Sequence, residues 1–184
     1  MQDEEVIAAM RLWVEKAVIG LNLCPFAKSV YVKNQVRFVV SHAKHLDGFL
    51  EDLDRELDFL AEADPQDVDT TLLIHPTLLP DFEDFNDLSI IAESAVDEHG
   101  LEGVIQVASF HPKFQFADTE PEDIGNYTNR APFPTLHLIR EESLARAVEA
   151  IPNAEEIFER NIETLQKLGL AGWRALGLSQ PAEK

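Results

Sequence analysis

A chain of 184 residues, 45% hydrophobic and 27% charged, has the composition of an ordinary globular domain that buries a full core, which excludes disordered and fibrous readings. With 34 acidic against 15 basic residues the net charge is −19, a field that repels phosphate backbones and anionic bilayers, so neither nucleic acid nor membrane is expected as a partner. The single cysteine, Cys24, cannot form an internal disulfide, and the acidic start Gln2-Asp3-Glu4-Glu5 is unlike a signal peptide, so a cytoplasmic location is expected.

Between Asp3 and Ile19, Val6, Met10, Trp13 and Ala17 recur at helical spacing, and Gly20 closes the pattern. After a loop, the β-branched and aromatic run Val36-Arg37-Phe38-Val39-Val40 predicts a strand. Leu46, Phe49, Leu53, Leu57 and Leu60 then return to helical spacing until Asp64-Pro65 breaks it. The unit recurs. Thr70 to Ile74 predicts a buried strand, Asp81 can cap a helix carrying Phe85, Leu88, Ala92 and Ala95 that ends near Gly100, and Val104 to Phe110 predicts a third strand. Strands alternating with helices imply crossover connections, hence parallel neighbours with helices covering the sheet.

The order changes after Phe110. The stretch to Pro134 has little periodicity, yet its aromatics Phe114, Phe116, Tyr127 and Phe133 argue against disorder, so an ordered, working loop is expected. Thr135 to Ile139 predicts a fourth strand, and Leu144, Ala147, Val148 and Ile151 a helix. Asn153 with Glu156 reads as a capping box opening a last helix through Leu168, and Ser179 to Lys184 as a frayed tail. With no repeat and no linker, residues 1–184 read as a single domain. The expected class is α/β: about four strands in a mostly parallel or mixed sheet, helices packed on it, and a long ordered loop before the last strand.

In open α/β sheets ligands bind outside the carboxyl ends of the strands. Here the strands end at Ser41-His42, His75-Pro76 and His111-Pro112, so parallel strands would bring three histidines to one edge. The functional reading makes His111 and His75 general acids or bases, ahead of His42. The bland reading is that a His-Pro step stops a strand and the ring bonds locally. A metal site is not expected, because no spacing such as His-x-x-x-His or Cys-x-x-Cys occurs, and no motif calls for a cofactor.

Cys24 lies just past the first helix, in Gly20-Leu-Asn-Leu-Cys-Pro-Phe-Ala27. Cys-Pro-Phe-Ala resembles the active-site tetrapeptide of some thioltransferase-like glutathione enzymes, but there the cysteine follows a strand and opens a helix, whereas here a long helix precedes it. Cys24 is thus either a candidate nucleophile or a small buried hydrophobe. Asn129 and Arg130 stand in a loop stiffened by Pro132 and Pro134, where Arg130 could grip a carboxylate or phosphate with two hydrogen bonds. If the fourth strand runs antiparallel to the others, Arg130 falls on the histidine edge; if parallel, Arg140 and Glu141 do. The alternative is a surface arginine paired with some of the abundant acid. His137, facing opposite Leu136 and Leu138, reads as a satisfied core histidine.

Taken together, Gly20 to Ala27, Ser109-Phe-His-Pro-Lys-Phe-Gln-Phe-Ala-Asp118, Asn126-Tyr-Thr-Asn-Arg130 and Pro132-Phe-Pro-Thr-Leu-His-Leu-Ile-Arg-Glu141 resemble a bacterial family catalogued as domain of unknown function 1415. The likeness covers nearly the whole chain; it implies a bacterial origin and no assigned chemistry. The residues themselves point to a small-molecule enzyme, a hydrolase or transferase acting on an anionic substrate. In it His111 and His75 would move protons, Arg130, Asn129 and alternatively Arg140 would clamp the substrate, and Cys24 would be the candidate nucleophile. The other reading is a non-catalytic module whose aromatic loop, residues 111–134, docks a partner protein.

Overall fold

In the computed structural model of the chain, the described residues are 1–150, 156–178 and 180; Ile151, Asn153, Ser179 and residues 181–184, for which the sequence carried expectations, lie outside them. Helix α1 (Asp3–Trp13) buries Val6, Met10 and Trp13, the stripe that the spacing predicts. It continues as a π-helical turn (Val14–Ile19) that buries Val14 and Ala17. Gly20 then accepts a tight approach: an added Cβ would stand 2.3 Å from the Lys16 carbonyl oxygen. A short helix α2 (Ala27–Val32) follows, in a stretch where the sequence predicts only loop.

Strand β1 (Val36–Val40), helix α3 (Leu46–Glu62), strand β2 (Thr70–Ile74), helix α4 (Phe82–Glu98) and strand β3 (Ile105–Phe110) follow the predicted alternation closely. Asp81 accepts from the Glu83 N–H at 2.9 Å and so starts α4 as expected. Strand β4 (Thr135–Arg140) leads directly into α5 (Glu141–Glu149). Helix α6 (Ile157–Ala175) is broken at Gly169, whose φ of 64° no other residue type adopts freely, so its first segment ends at Leu168 as the sequence suggests.

The strand order is β1-β2-β4-β3. Only β1 and β2 are parallel neighbours; β4 lies between β2 and β3 and runs antiparallel to both. The expectation that the third strand would sit beside a parallel neighbour is therefore corrected, and the sheet is mixed. The reason is that β4 enters from the long loop at the far ends of β2 and β3 and fills the gap between them. β1, β2 and β3 nonetheless all point the same way.

Alternation divides the strand side chains between two cores. On one face Val39, Leu73, Leu136 and Leu138 pack against Phe49, Leu53 and Leu57 of α3 and Phe85 and Leu88 of α4. On the other, Phe38, Leu72, Ile74 and Phe133 meet Met10 and Trp13 of α1 and Leu165 and Trp173 of α6. The second face is covered only in part. Helix α5 buries none of its residues and borders a hollow instead. Among the described residues no helix is long and apolar enough to cross a membrane.

Candidate functional site

Because β1, β2 and β3 share a direction, His42, His75 and His111 do leave the sheet at one edge. Because β4 runs the other way, Arg130 lies at that edge and Arg140 at the opposite one. What these side chains do there follows from their bonds. His75 and His111 are each 1% exposed. The His75 Nδ1 accepts from the Leu78 N–H at 2.7 Å, which leaves Nε2 to donate to the Ala43 carbonyl at 2.8 Å. The His111 Nδ1 accepts from the Lys113 N–H at 3.0 Å and its Nε2 donates to the Leu79 carbonyl at 3.0 Å.

A backbone N–H can only donate and a carbonyl only accept, so both rings are held as the neutral Nε2–H tautomer. Burial pushes both pKa values down. The Phe49 ring meets His75 edge-on at 5.2 Å, and the Phe85 ring stacks on His111 at 5.1 Å. The geometry is that of two pins: His75 ties the loop after β2 to the one after β1, and His111 ties the loop after β3 back to the one after β2. His42 is exposed and bonds Asp3.

The arginines are similarly engaged. Arg130 donates from Nε to the Phe114 carbonyl at 3.2 Å and from Nη2 to the Pro121 carbonyl at 2.6 Å, with its guanidinium over the Tyr127 ring at 4.2 Å. Asn129 donates from Nδ2 to the Ser109 carbonyl at 3.1 Å. Arg140 donates to the Ala63 carbonyl at 2.6 Å, with its Nε buried and without a hydrogen-bond partner among the described residues. The long loop is thus ordered, as expected. Its Asn126, fully buried, accepts from the Phe116 N–H at 3.0 Å and donates to the Glu120 carbonyl at 2.8 Å.

A cavity of about 650 Å³ opens elsewhere, on the incompletely covered face of the sheet. Its floor is Thr70 and Leu72 of β2, His137 and Ile139 of β4, and Ala108 of β3. One wall comes from Trp13, Cys24, Phe26 and Val30, the other from Leu144 and Ala147 of α5. None of His75, His111, Asn129, Arg130 or Arg140 lines it, whereas Cys24 does. The amphipathic pattern of α5 is therefore satisfied not by a core but by this hollow, which its apolar side borders while Ser143 donates to Asp69 below.

Cys24 is half-buried on that wall, and burial pushes its thiol pKa up, so it is a thiol rather than a thiolate at neutral pH. The loop that carries it is fixed by Asn161 of α6, whose Nδ2 donates to the Leu23 carbonyl at 2.8 Å. Burial pushes the His137 pKa down to about 4. Alternation does place His137 opposite Leu136 and Leu138, but the face it occupies is cavity rather than filled core. The signal that could have identified it is a histidine beside Ala108 on the open side of the sheet, together with a helix, α5, whose apolar stripe has no strand partner. Among the described residues no three His, Cys, Asp or Glu side chains are grouped so as to hold a metal ion.

A family model described as Protein of unknown function (DUF1415) matches residues 5–175. No curated protein and no solved structure matches the chain.

Proposed function

The chain belongs to the DUF1415 family, whose description names no activity, and from that premise we propose that it binds a small molecule in the cavity between α5 and the Cys24 loop. The observation that carries this is the cavity's construction. Its volume of about 650 Å³ lies within the roughly 300–1,000 Å³ of small-molecule sites, and its apolar lining with a few polar groups, Thr70, His137 and Cys24 among them, is the composition such sites share.

The catalytic form of this reading is a hydrolase or transferase acting on an anionic substrate. Cys24 on the wall is its candidate nucleophile, and the exposed Lys33, which borders the cavity and has no ion pair among the described residues, can meet an anionic substituent. For His75 and His111 to move protons, or for Arg130, Asn129 and Arg140 to clamp a substrate, each would first have to leave backbone partners that are themselves buried or part-buried. That requirement favours the cavity over the histidine edge. The docking-module alternative is weakened by the aromatic loop's own packing: Phe114 and Phe116 meet at 4.9 Å, Phe116 meets Phe158, itself 52% exposed, at 5.8 Å and Tyr127 meets Trp173 at 5.0 Å, so these part-buried rings already pack on one another and on α6.

The test is to purify the chain, unfold it, and identify released small molecules by mass spectrometry, beside an Ala108→Phe variant that fills the floor. The expected result is a compound released from the parent and lost from the folded variant. Equal release from both, or a variant that binds added ligands as the parent does, would remove the cavity reading.

A further inference from the structure

The floor of the cavity has a hydrogen-bonding sign. The Thr70 hydroxyl has one proton, and it goes to the Leu138 carbonyl at 2.7 Å. The 2.7 Å contact between Thr70 Oγ1 and His137 Nε2 must therefore have the imidazole as donor. That places the ring proton on Nε2 and leaves Nδ1 with a lone pair. Nδ1 has no hydrogen-bond partner among the described residues. Nor is it sealed off: the fully buried, unpartnered side-chain atoms among those residues are Thr71 Oγ1, Thr128 Oγ1 and Arg140 Nε. An atom that lacks a protein partner yet is reached from outside, on a residue that lines the cavity, faces what fills the cavity.

Resting on the cavity reading above, we propose that the site selects ligands with an apolar, ring-sized body and a hydroxyl or N–H donor that bonds His137 Nδ1. The same geometry rejects a carboxylate at that end, because two acceptors would face each other. The ring does not escape by protonating, since burial keeps it neutral near pH 7. Nor does Thr70 offer a substitute donor, as its proton is committed. An anionic substituent is compatible with the ligand away from His137, where the cations Lys33 and Arg146, the latter paired with Glu142, line the cavity. The specificity has a physical basis: an acceptor in an apolar hollow loses its water when the ligand enters, so a ligand without a donor leaves it unpaired.

Indole and benzofuran test this, since they share a bicyclic frame and differ by an N–H replaced with an oxygen. Each is titrated into the isotopically labelled chain, following the backbone amides around the cavity and the ring nitrogens of His137. Indole is expected to perturb Cys24, Ala108 and Leu144, to shift the His137 Nδ1 signal, and to bind about tenfold more tightly than benzofuran. In His137→Phe the preference should fall to about twofold or less; the Nδ1 shift in the parent serves the same purpose should that variant not fold. If both compounds bind in the cavity equally and Nδ1 does not move, the donor rule is overturned while the cavity reading stands. If neither perturbs the cavity residues, both are overturned.

Discussion

His75 donates from Nε2 to the carbonyl of Ala43 at 2.8 Å, joining the loops that leave two parallel strands through a ring that is 1% exposed. His111 repeats the device against Leu79. Replacing either ring leaves a part-buried carbonyl and a backbone N–H without that partner and opens a void beside Phe49 or Phe85. His75→Ala and His111→Ala are each expected to lower unfolding stability by about 2–4 kcal/mol. His42→Ala, at an exposed ring, should change it by less than about 0.5 kcal/mol. Urea unfolding measures all three; stability unchanged in the two buried variants would show that the pins bear no load.

His137 and His99 should respond to pH in opposite directions. Burial lowers the His137 pKa from 6.5 to about 4, so its contribution to stability is complete above pH 6.5 and is lost as pH falls toward 4, where the unfolded chain takes up the proton first. A shift of that size corresponds to about 3 kcal/mol. His99 bonds Asp58 at 2.8 Å and Asp54 at 3.1 Å, and these carboxylates raise its pKa. Its contribution is therefore complete below pH 6.5 and is lost as pH rises through the raised value. Histidine ring resonances followed from pH 4 to 8 should show His137 neutral throughout most of the range and His99 still charged at 6.5. A His137 signal with its midpoint near 6.5 would contradict the burial argument.

At Gly20 the expected change is steric. The 2.3 Å approach to the Lys16 carbonyl leaves no room for a methyl group, so Gly20→Ala should shift the chain between the π-helical turn and the Cys24 loop and cost about 1–3 kcal/mol. The midpoint of thermal or urea unfolding reports it. A variant as stable as the parent would mean that this turn relaxes freely.

Cys24 should behave as a protected thiol. Because burial raises its pKa, alkylation by iodoacetamide at pH 7 is expected to be at least about tenfold slower than that of free cysteine, and to reach the ordinary rate only on unfolding. Reaction at neutral pH faster than free cysteine would show a thiolate, and would support Cys24 as a nucleophile in the empty protein.

Much of the fold was legible because periodicity acts locally. The alternation through β4, the stripe of α1 and the Asp81 cap all rest on residues within a turn or a strand of each other. The rim of histidines was legible for a related reason, since each follows its own strand. Helix α2 was not, as Ala27–Val32 buries no residue and so shows no stripe.

The sequence by itself determined which segments became strands and helices, and which side of each strand is apolar, because those follow from spacing and from burial of the apolar face. Only the tertiary structure decided that β4 enters between β2 and β3, that both edge histidines end as backbone pins, and that His137 looks into a hollow bordered by α5. Those outcomes depend on pairings between residues far apart in the chain, and on how much of a sheet face the helices manage to cover. Neither is encoded in any local pattern.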